Sequence, residues 1–516
     1  MAYQLPADLK AAIDAARGRV YEVGSPTPLQ RLTLPQYECE IWIKREDLSP
    51  INAYKWRGAY NCIAAREIGN ADTEIVAASA GNHAQGVALA VRNLGLKARI
   101  FMPLATPQMK QNAVARHGGD AVAIELVGDT YNEAADAARR YTESNNSLYI
   151  HPFDDTDTIA GQATIAEEIL DQRQPFDHVF LQIGGGGMAA GVSAWLKAHW
   201  PHIAAHGVEG VDQASMKAAI AAGKPVTLDH VDTFCDGTAV TRAGDVTFNI
   251  CKDTLDDVLT VSNEEVCAAI QTCWDTLRVI PEPSGAMGLA GLMQYIAANK
   301  DAVKGQRLLA IVCGANMDFG KLGLIASQSA VGAHRRRYLR FTLDEQRGSL
   351  LGLLDALLSD INVTEFQYGK IDHNVAYPVV AFEATPERLS QLDADLKARH
   401  VPYEDVTGAA DIRYRIIPYR PELFSHPLFF HIHFPERKGA LRDLMRKISG
   451  VANLCYFNYA YSGETIGRAI MGFEFKDKAG HSQIEAILAD TLVEYRPVDG
   501  ETSLRLLGSV PPAKAA

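Results

Sequence analysis

Between residues 40 and 326 short β-rich runs alternate with helical ones, and this alternation restricts the fold more than any other feature of the sequence. Glu74-Ile75-Val76-Ala77, Ala98-Arg99-Ile100-Phe101-Met102, His178-Val179-Phe180-Leu181-Gln182-Ile183 and Leu308-Leu309-Ala310-Ile311-Val312 read as strands. Residues 84–93, 131–143 and 159–172 carry helical spacing between them. Apolar strands separated by helices predict parallel sheets covered on both faces, an α/β architecture. Ligands of such sheets sit beyond the C-terminal strand ends, on the loops that follow.

After residue 330 the texture changes. Residues 336–344 predict a strand and 348–359 a helix, followed by strands over 363–370 and 378–383 and a helix over 385–400. About ninety residues on, the pattern recurs: Phe341-Thr342-Leu343-Asp344-Glu345-Gln346-Arg347-Gly348-Ser349-Leu350 aligns with Ile432-His433-Phe434-Pro435-Glu436-Arg437-Lys438-Gly439-Ala440-Leu441. Glu, a basic residue, Gly and Leu keep equal spacing. Two small α+β modules of the form βαββαβ are expected, and a duplicated structural or dimerisation unit is the plainer alternative. A chain of 516 residues also exceeds what one hydrophobic core supports. Three domains are expected, over residues 1–330, 331–420 and 421–516.

The formal net charge of −12 argues against nucleic acid or an anionic membrane surface as the main partner, since both call for a basic face. No window approaches the roughly 18 uninterrupted apolar residues of a membrane span, and residues 1–17 lack a basic start followed by an apolar stretch. The eight cysteines are scattered without a CxxC pair or ligand-like His spacing. Reduced thiols in a cytoplasm are expected, rather than disulfides or structural zinc.

Four stretches carry the chemistry, and each has a plainer reading in isolation. In Ala53-Tyr54-Lys55-Trp56-Arg57-Gly58-Ala59 a lysine sits between aromatics where a loop gives way to a helix. Apolar surroundings disfavour its ammonium form and make it an amine nucleophile suited to Schiff-base formation; a solvated surface lysine is the bland alternative. Ser79-Ala80-Gly81-Asn82-His83 follows a strand and opens a helix, where backbone N–H groups can take a carboxylate. An ordinary capped turn would look the same. Gly184-Gly185-Gly186-Gly187-Met188 forms a nest of N–H groups for a phosphate at a helix N-terminus. It also satisfies the dinucleotide template Gly184-x-Gly186-x-x-Ala189, with Glu209 at a suitable distance, so a nicotinamide dehydrogenase stays open at this point. In Val312-Cys313-Gly314-Ala315-Asn316 a neutral thiol at a strand end could meet a pyridine nitrogen, or be a buried structural cysteine.

Taken together these stretches resemble the threonine/serine dehydratase family, in the fold type II (tryptophan synthase β-like) branch of pyridoxal-phosphate enzymes. The whole chain resembles its regulated biosynthetic members. The resemblance implies that Lys55 carries pyridoxal 5'-phosphate as an imine and acts as the catalytic base. It further implies that Asn82 contacts the phenolic oxygen, that Gly184, Gly185, Gly186, Gly187 and Met188 hold the phosphate, and that Cys313 faces the pyridine nitrogen. Ser79, Ala80, Gly81, Asn82 and His83 then bind the substrate. L-Threonine, or L-serine as a second candidate, would lose water and then ammonia, the first step of isoleucine biosynthesis.

The segment after residue 330 resembles paired ACT-like modules, implying isoleucine and valine as effectors and a homotetramer. No metal is implied: Glu209 matches one racemase-branch ligand, but Ser215 stands where an acid is expected. Ala80 replaces the racemase serine. Ala53, Tyr54 and Trp56 depart from the usual Ser-Phe-Lys context, which points to an altered pocket and keeps serine or hydroxyaspartate elimination open. A weakly catalytic amino-acid sensor is the remaining alternative.

Overall fold

The computed structural model describes residues 3–66, 68, 73–172, 175–344, 353, 361–367, 374–409, 412, 426–435, 447–448, 451–459, 466–475, 479–490 and 494–506. They divide into two compact units, Met1–Ser329 and Ala330–Ala516.

Among the described residues of the first unit the strands are β1 (Leu29–Leu32), β2 (Glu40–Arg45), β3 (Ile75–Ala78), β4 (Ala98–Met102), β5 (Val122–Leu126), β6 (Leu148–Tyr149), β7 (His178–Gln182), β8 (Ala204–Gly210), β9 (Asp257–Val261) and β10 (Arg307–Val312). The larger sheet has the order β1-β2-β10-β7-β8-β9, parallel except for the antiparallel β1–β2 pair. The smaller has the order β5-β4-β3-β6, parallel throughout. The strands expected from apolar runs are all present, within a residue or two of their predicted ends.

Side-chain alternation sends β10 into an apolar core on each face, and β7 likewise through Val179 and Leu181 on one side and Phe180, flanked by His178 and Gln182, on the other. Leu309 and Ile311 join Val179, Leu181 and Ile183 in a core with residues of helices Thr156–Gln172 and Gly187–His199. Leu308, Ala310 and Val312 join Phe180 in a second core with residues of helices Asn263–Leu277 and Pro283–Ala298. Each such aliphatic side chain stabilises the fold by roughly 1.5–3 kcal/mol when buried. The smaller sheet is likewise covered twice, by helices Lys55–Ala64 and Asn82–Leu94 on one face and Tyr131–Ser144 on the other.

In the second unit the strands are β11 (Arg336–Phe341), β12 (Leu343–Asp344), β13 (Asn362–Gln367), β14 (Val375–Ala376), β15 (Val379–Glu383), β16 (Tyr403–Asp405), β17 (Leu428–Pro435), β18 (Asn453–Tyr459), β19 (Ile466–Glu474) and β20 (Glu494–Pro497). Among the described residues they form two four-stranded antiparallel sheets, β13-β15-β11-β16 and β18-β19-β17-β20, and a separate antiparallel β12–β14 pair. With β12 and β14 set aside, the two four-stranded orders are the same when strands are counted from the start of each module. Helices Pro386–Ala398 and Ala479–Ala489 precede the last strand of each.

The repeat extends to register. Arg337 pairs with Phe382 and Val363 with Phe382, while Leu428 pairs with Phe473 and Leu454 with Phe473. The second strand is bulged at Val363/Glu365 in one module and at Leu454/Tyr456 in the other, the same place in the repeat. Each module has its own apolar core, one around Leu339, Phe341 and Phe382 and one around Phe430, Ile432 and Phe473. The predicted helix 348–359, apart from Leu353, the end of the predicted strand at 368–370 and the motif halves 345–350 and 436–441 lie outside the described residues.

Candidate active site

The four singled-out stretches all follow C-terminal ends of strands or start helices in the first unit. Lys55 is the first residue of helix Lys55–Ala64, the Ser79 loop follows β3, the glycines follow β7 and Cys313 follows β10. Backbone bonds lock the lysine stretch to the cysteine stretch: Tyr54 N–H donates to Cys313 O at 3.0 Å and Ala315 N–H to Asn52 O at 2.9 Å, beside an Ala53–Gly314 bridge.

Lys55 Nζ donates to Pro152 O at 3.0 Å. Burial pushes its pKa down to about 8. At pH 7 that leaves roughly a tenth of the molecules with a free amine, against fewer than about one in a thousand for an ordinary lysine. Its helix is held close to its neighbours by glycines. A Cβ on Gly58 would meet Thr158 O at 2.7 Å, and one on Gly161 would meet Arg57 O at 2.5 Å.

The glycine run is a cradle with no room for side chains. A Cβ would lie 2.9 Å from Thr238 Cα at Gly184, 2.2 Å from the Phe153 ring at Gly185, and 3.1 Å from Phe153 Cα at Gly187. Gly186 has φ +98°, a region only glycine adopts freely, and is the N-cap of helix Gly187–His199. The first turn of a helix leaves its N–H groups without intrahelical partners, which suits an anion. Met188 is buried in the adjoining core.

Cys313 is buried, with Sγ 3.7 Å from Ser284 O, and burial holds its thiol well above the usual range. It is a neutral group at working pH. Asn82 starts helix Asn82–Leu94; its Nδ2 donates to Glu282 Oε1 at 2.6 Å and its Oδ1 accepts from Asn316 Nδ2 at 2.8 Å. Ser79 Oγ accepts from Gly81 N–H at 3.2 Å, shaping the loop ahead of that helix. His83 is buried with Nε2 3.1 Å from Ile150 O, and burial pushes its pKa down to about 3. It is neutral, so it can hold a hydrogen bond without adding charge.

Several participants went unread in the sequence. Residues 150–154 are a hub: Ile150 O meets His83, Pro152 O accepts from Lys55 and Phe153 lies over the glycines. Asp154 accepts from the N–H groups of Asp245, Val246 and Thr247, tying the start of helix Asp245–Thr254 to this hub. Glu282, buried, is pushed up to about 7 by desolvation and then by Asp236. Its one sequence signal is Pro283, whose ring suits the first residue of a helix. Lys110 Nζ donates to Asp236 at 2.5 Å, with Lys321 Nζ 3.9 Å from the same carboxylate.

Two sequence expectations are corrected. Glu209 lies inside β8, and its carboxylate accepts from Met216 N–H at 2.8 Å and Lys217 N–H at 2.9 Å, capping helix Ser215–Ala222. It is committed to that helix, which removes the acidic partner the dinucleotide reading required. Trp56 does not shape the pocket: it is buried with Val20, Ile51 and Ala53, and a Cβ on Gly24 would lie 2.1 Å from its ring. Among the described residues no group of three or more His, Cys, Asp or Glu is arranged to hold a metal ion, and no helix is long and apolar enough to cross a membrane. Cys39, Cys62, Cys235, Cys251, Cys267, Cys273 and Cys313 are free thiols.

An amine of lowered basicity, a side-chain-free anion cradle and an uncharged thiol form a donor set that fits pyridoxal 5'-phosphate. Fold and site together define a pyridoxal-phosphate-dependent enzyme of fold type II. The family model described as "Pyridoxal-phosphate dependent enzyme" matches residues 20–314, and the "C-terminal regulatory domain of Threonine dehydratase" matches 327–415 and 424–507. The chain belongs to the threonine dehydratase family. It is 38% identical to the biosynthetic L-threonine dehydratase of Haemophilus influenzae over 96% of each chain. With that of Escherichia coli it is 37% identical, over 89% of this chain and 90% of the other. Threonine deaminase isoform 2 of Solanum lycopersicum, in its processed form, superposes with a TM-score of 0.61 at 38% identity, covering 64% of this chain and 91% of that one.

Proposed function

We propose that this chain dehydrates and deaminates L-threonine to 2-oxobutanoate and ammonium, using pyridoxal 5'-phosphate, under feedback control in a cytoplasmic homotetramer. The supporting observation is the meeting of Lys55, Cys313 and the Gly184–Gly187 cradle through Tyr54 N–H, Pro152 O and Phe153.

When bound, pyridoxal 5'-phosphate supplies an electron sink for negative charge developed at the substrate Cα. Gly184, Gly185, Gly186, Gly187 and Met188 would hold its phosphate, Asn82 its phenolic oxygen and Cys313 its pyridine nitrogen. Lys55, released as a free amine, takes the Cα proton at Nζ, and its lowered basicity keeps that amine available near neutrality. A neutral thiol at the ring nitrogen adds no charge there, which favours prompt loss of the β-hydroxyl. The N–H groups at the start of helix Asn82–Leu94 hold the substrate carboxylate. Ala80 brings no hydroxyl to the opposite face of Cα, so elimination is favoured over racemisation.

Residues 331–420 and 421–516 are assigned as two ACT-like modules, with residues 1–330 catalytic. Isoleucine is the inhibitor and valine the activator in this reading. An effector that binds one state better shifts the population toward it.

The test is direct. Purified protein is yellow, borohydride reduction places the label on Lys55, and Lys55→Ala is colourless after dialysis. Label on another lysine, or on none, rejects the assignment. Release of 2-oxo acid is compared for threonine, serine and hydroxyaspartate, and a clear preference for either of the latter two overturns the substrate. Isoleucine added to the threonine assay lowers the rate or changes its cooperativity; an unchanged profile removes the regulatory claim.

A further inference from the structure

We propose that Asn316 is a positioning residue that fixes the amide of Asn82 with its nitrogen as a donor toward the cofactor. The inference rests on the reading of Asn82 as a cofactor contact and extends it to a residue that no family role had claimed.

A side-chain amide has two ends of nearly equal shape and opposite polarity, and only its neighbours decide which way it faces. The fixed point here is a backbone carbonyl, which can only accept. Asn316 Nδ2 lies 2.7 Å from Ile51 O and 2.8 Å from Asn82 Oδ1. Its two hydrogens meet two acceptors, so its donor capacity is fully used. Asn82 Oδ1 is thereby committed to Asn316. At the other end Asn82 Nδ2 spends one hydrogen on Glu282 Oε1 at 2.6 Å. The second hydrogen of Nδ2 is the one left to donate.

Turning the Asn82 amide over would set nitrogen against Asn316 Nδ2, a repulsive contact in place of a bond, and oxygen against Glu282, which repels it whenever that carboxyl is ionised. The polarity of Ile51 O is thus passed through Asn316 to Asn82. The frame that carries it is backbone: Ala53 bridges Gly314, and Ala315 N–H donates to Asn52 O at 2.9 Å, holding residue 316 in register with residue 51. Asn52 itself takes φ 53°, a left-handed turn that asparagine tolerates, between Ile51 and that bridge. Glu282 faces Asn82 from the start of helix Pro283–Ala298, with Asp236, Lys110, Lys321 and Lys55 among its charged neighbours.

The experiment uses full-length protein loaded with pyridoxal 5'-phosphate, as wild type, Asn316→Asp, Asn316→Ala and Asn82→Ala. Three quantities are read: the pH midpoint of the visible cofactor absorption, the cofactor dissociation constant, and the melting temperature of the apoprotein. A donor stabilises an ionised oxygen, so its loss moves the midpoint to higher pH. Asn316→Asp inverts Asn82, raising the midpoint by about one pH unit and the dissociation constant about tenfold. Asn316→Ala frees the amide without inverting it and gives a smaller shift in the same direction; it decides the matter alone if the aspartate variant does not fold. If Asn82→Ala moves the midpoint and neither Asn316 variant does, the inference fails while the reading of Asn82 stands. If Asn82→Ala also changes nothing, that reading has failed and the inference with it. Weaker cofactor binding in step with a lower apoprotein melting temperature, at an unchanged midpoint, marks Asn316 as merely structural and overturns the proposal.

Discussion

Arg57 Nη1 meets Glu168 Oε1 at 2.6 Å with neither side chain reaching solvent, two residues along the helix from Lys55. The same guanidinium donates through Nε to Glu46 Oε2 at 2.9 Å, and Lys44 Nζ lies 2.6 Å from Glu168 Oε2. Two cations and two carboxylates from β2, the turn after it and two helices are buried together. Burial alone would raise Glu168, but the charges of Arg57 and Lys44 hold its carboxyl below the usual range. The cluster pins the orientation of the helix that presents Lys55.

Arg57→Met removes the ion-pair partner of Glu46, leaving it only the more distant charge of Lys44, and leaves Glu168 with Lys44 as its ion-pair partner. Loss of one partner of a buried pair costs about 3–5 kcal/mol. Arg57→Lys keeps the charge but loses the forked geometry, so a smaller loss is expected. Urea unfolding of the apoproteins measures both, and equal stability of wild type and Arg57→Met would show that the cluster contributes nothing.

Phe153 and Gly185 form a second testable pair. Gly185→Ala drives a methyl into the Phe153 ring, to which the ideal Cβ lies 2.2 Å away. Overpacking of this kind costs about 1–3 kcal/mol and distorts the cradle. Weaker cofactor binding is expected for Gly185→Ala, with partial recovery in Gly185→Ala/Phe153→Ala. Cofactor titration followed by absorbance checks it, and a double variant no better than the single one rejects the steric account.

What was legible in the sequence was whatever local chemistry encodes. Apolar runs such as 179–181 and 308–312 announced strands buried on both faces, and four glycines in a row announced a close approach. The 91-residue offset between Phe341 and Ile432 reappears as register in the second unit. What stayed hidden is nonlocal. Pro152 O is an ordinary carbonyl, and Phe153 an ordinary aromatic, until the fold lays them against Lys55 and the glycines. Glu209 was misread because an acid at a suitable distance can cap a helix as readily as bind a ribose, and its partners are backbone N–H groups.

Trp56 and Gly24 make a matched pair outside the site. With the indole filling the space a Cβ at residue 24 would occupy, Gly24→Ala destabilises the chain by about 1–3 kcal/mol. Trp56→Leu opens a cavity at a similar cost, and the two changes together cost less than their sum. Thermal unfolding reads all three. Preference for threonine over serine stays constant across the series, since the indole packs behind the lysine rather than in the pocket; a changed preference would contradict that placement.

Glu282 ties stability to pH in a direction opposite to most carboxylates. Its folded pKa, about 7, lies above the ordinary value of 4.5 because burial disfavours the charged form. The folded state therefore holds a proton that the unfolded state has released between those values. The contribution is fully present below about pH 4.5 and is lost as pH rises through about 7, a change on the order of 3 kcal/mol. Glu209 and Glu167 are raised by burial in the same way, so the wild-type slope alone does not isolate Glu282. Glu282→Gln does, because it keeps an oxygen for Asn82 Nδ2 and removes the titration. The apoprotein stability difference, wild type minus Glu282→Gln, should fall between pH 4.5 and 7 and stay level above about 8. A difference that is flat across the whole range would mean that Glu282 is already ionised in the folded chain, held by Lys110 and Lys321 rather than by its hydrogen bond to Asn82.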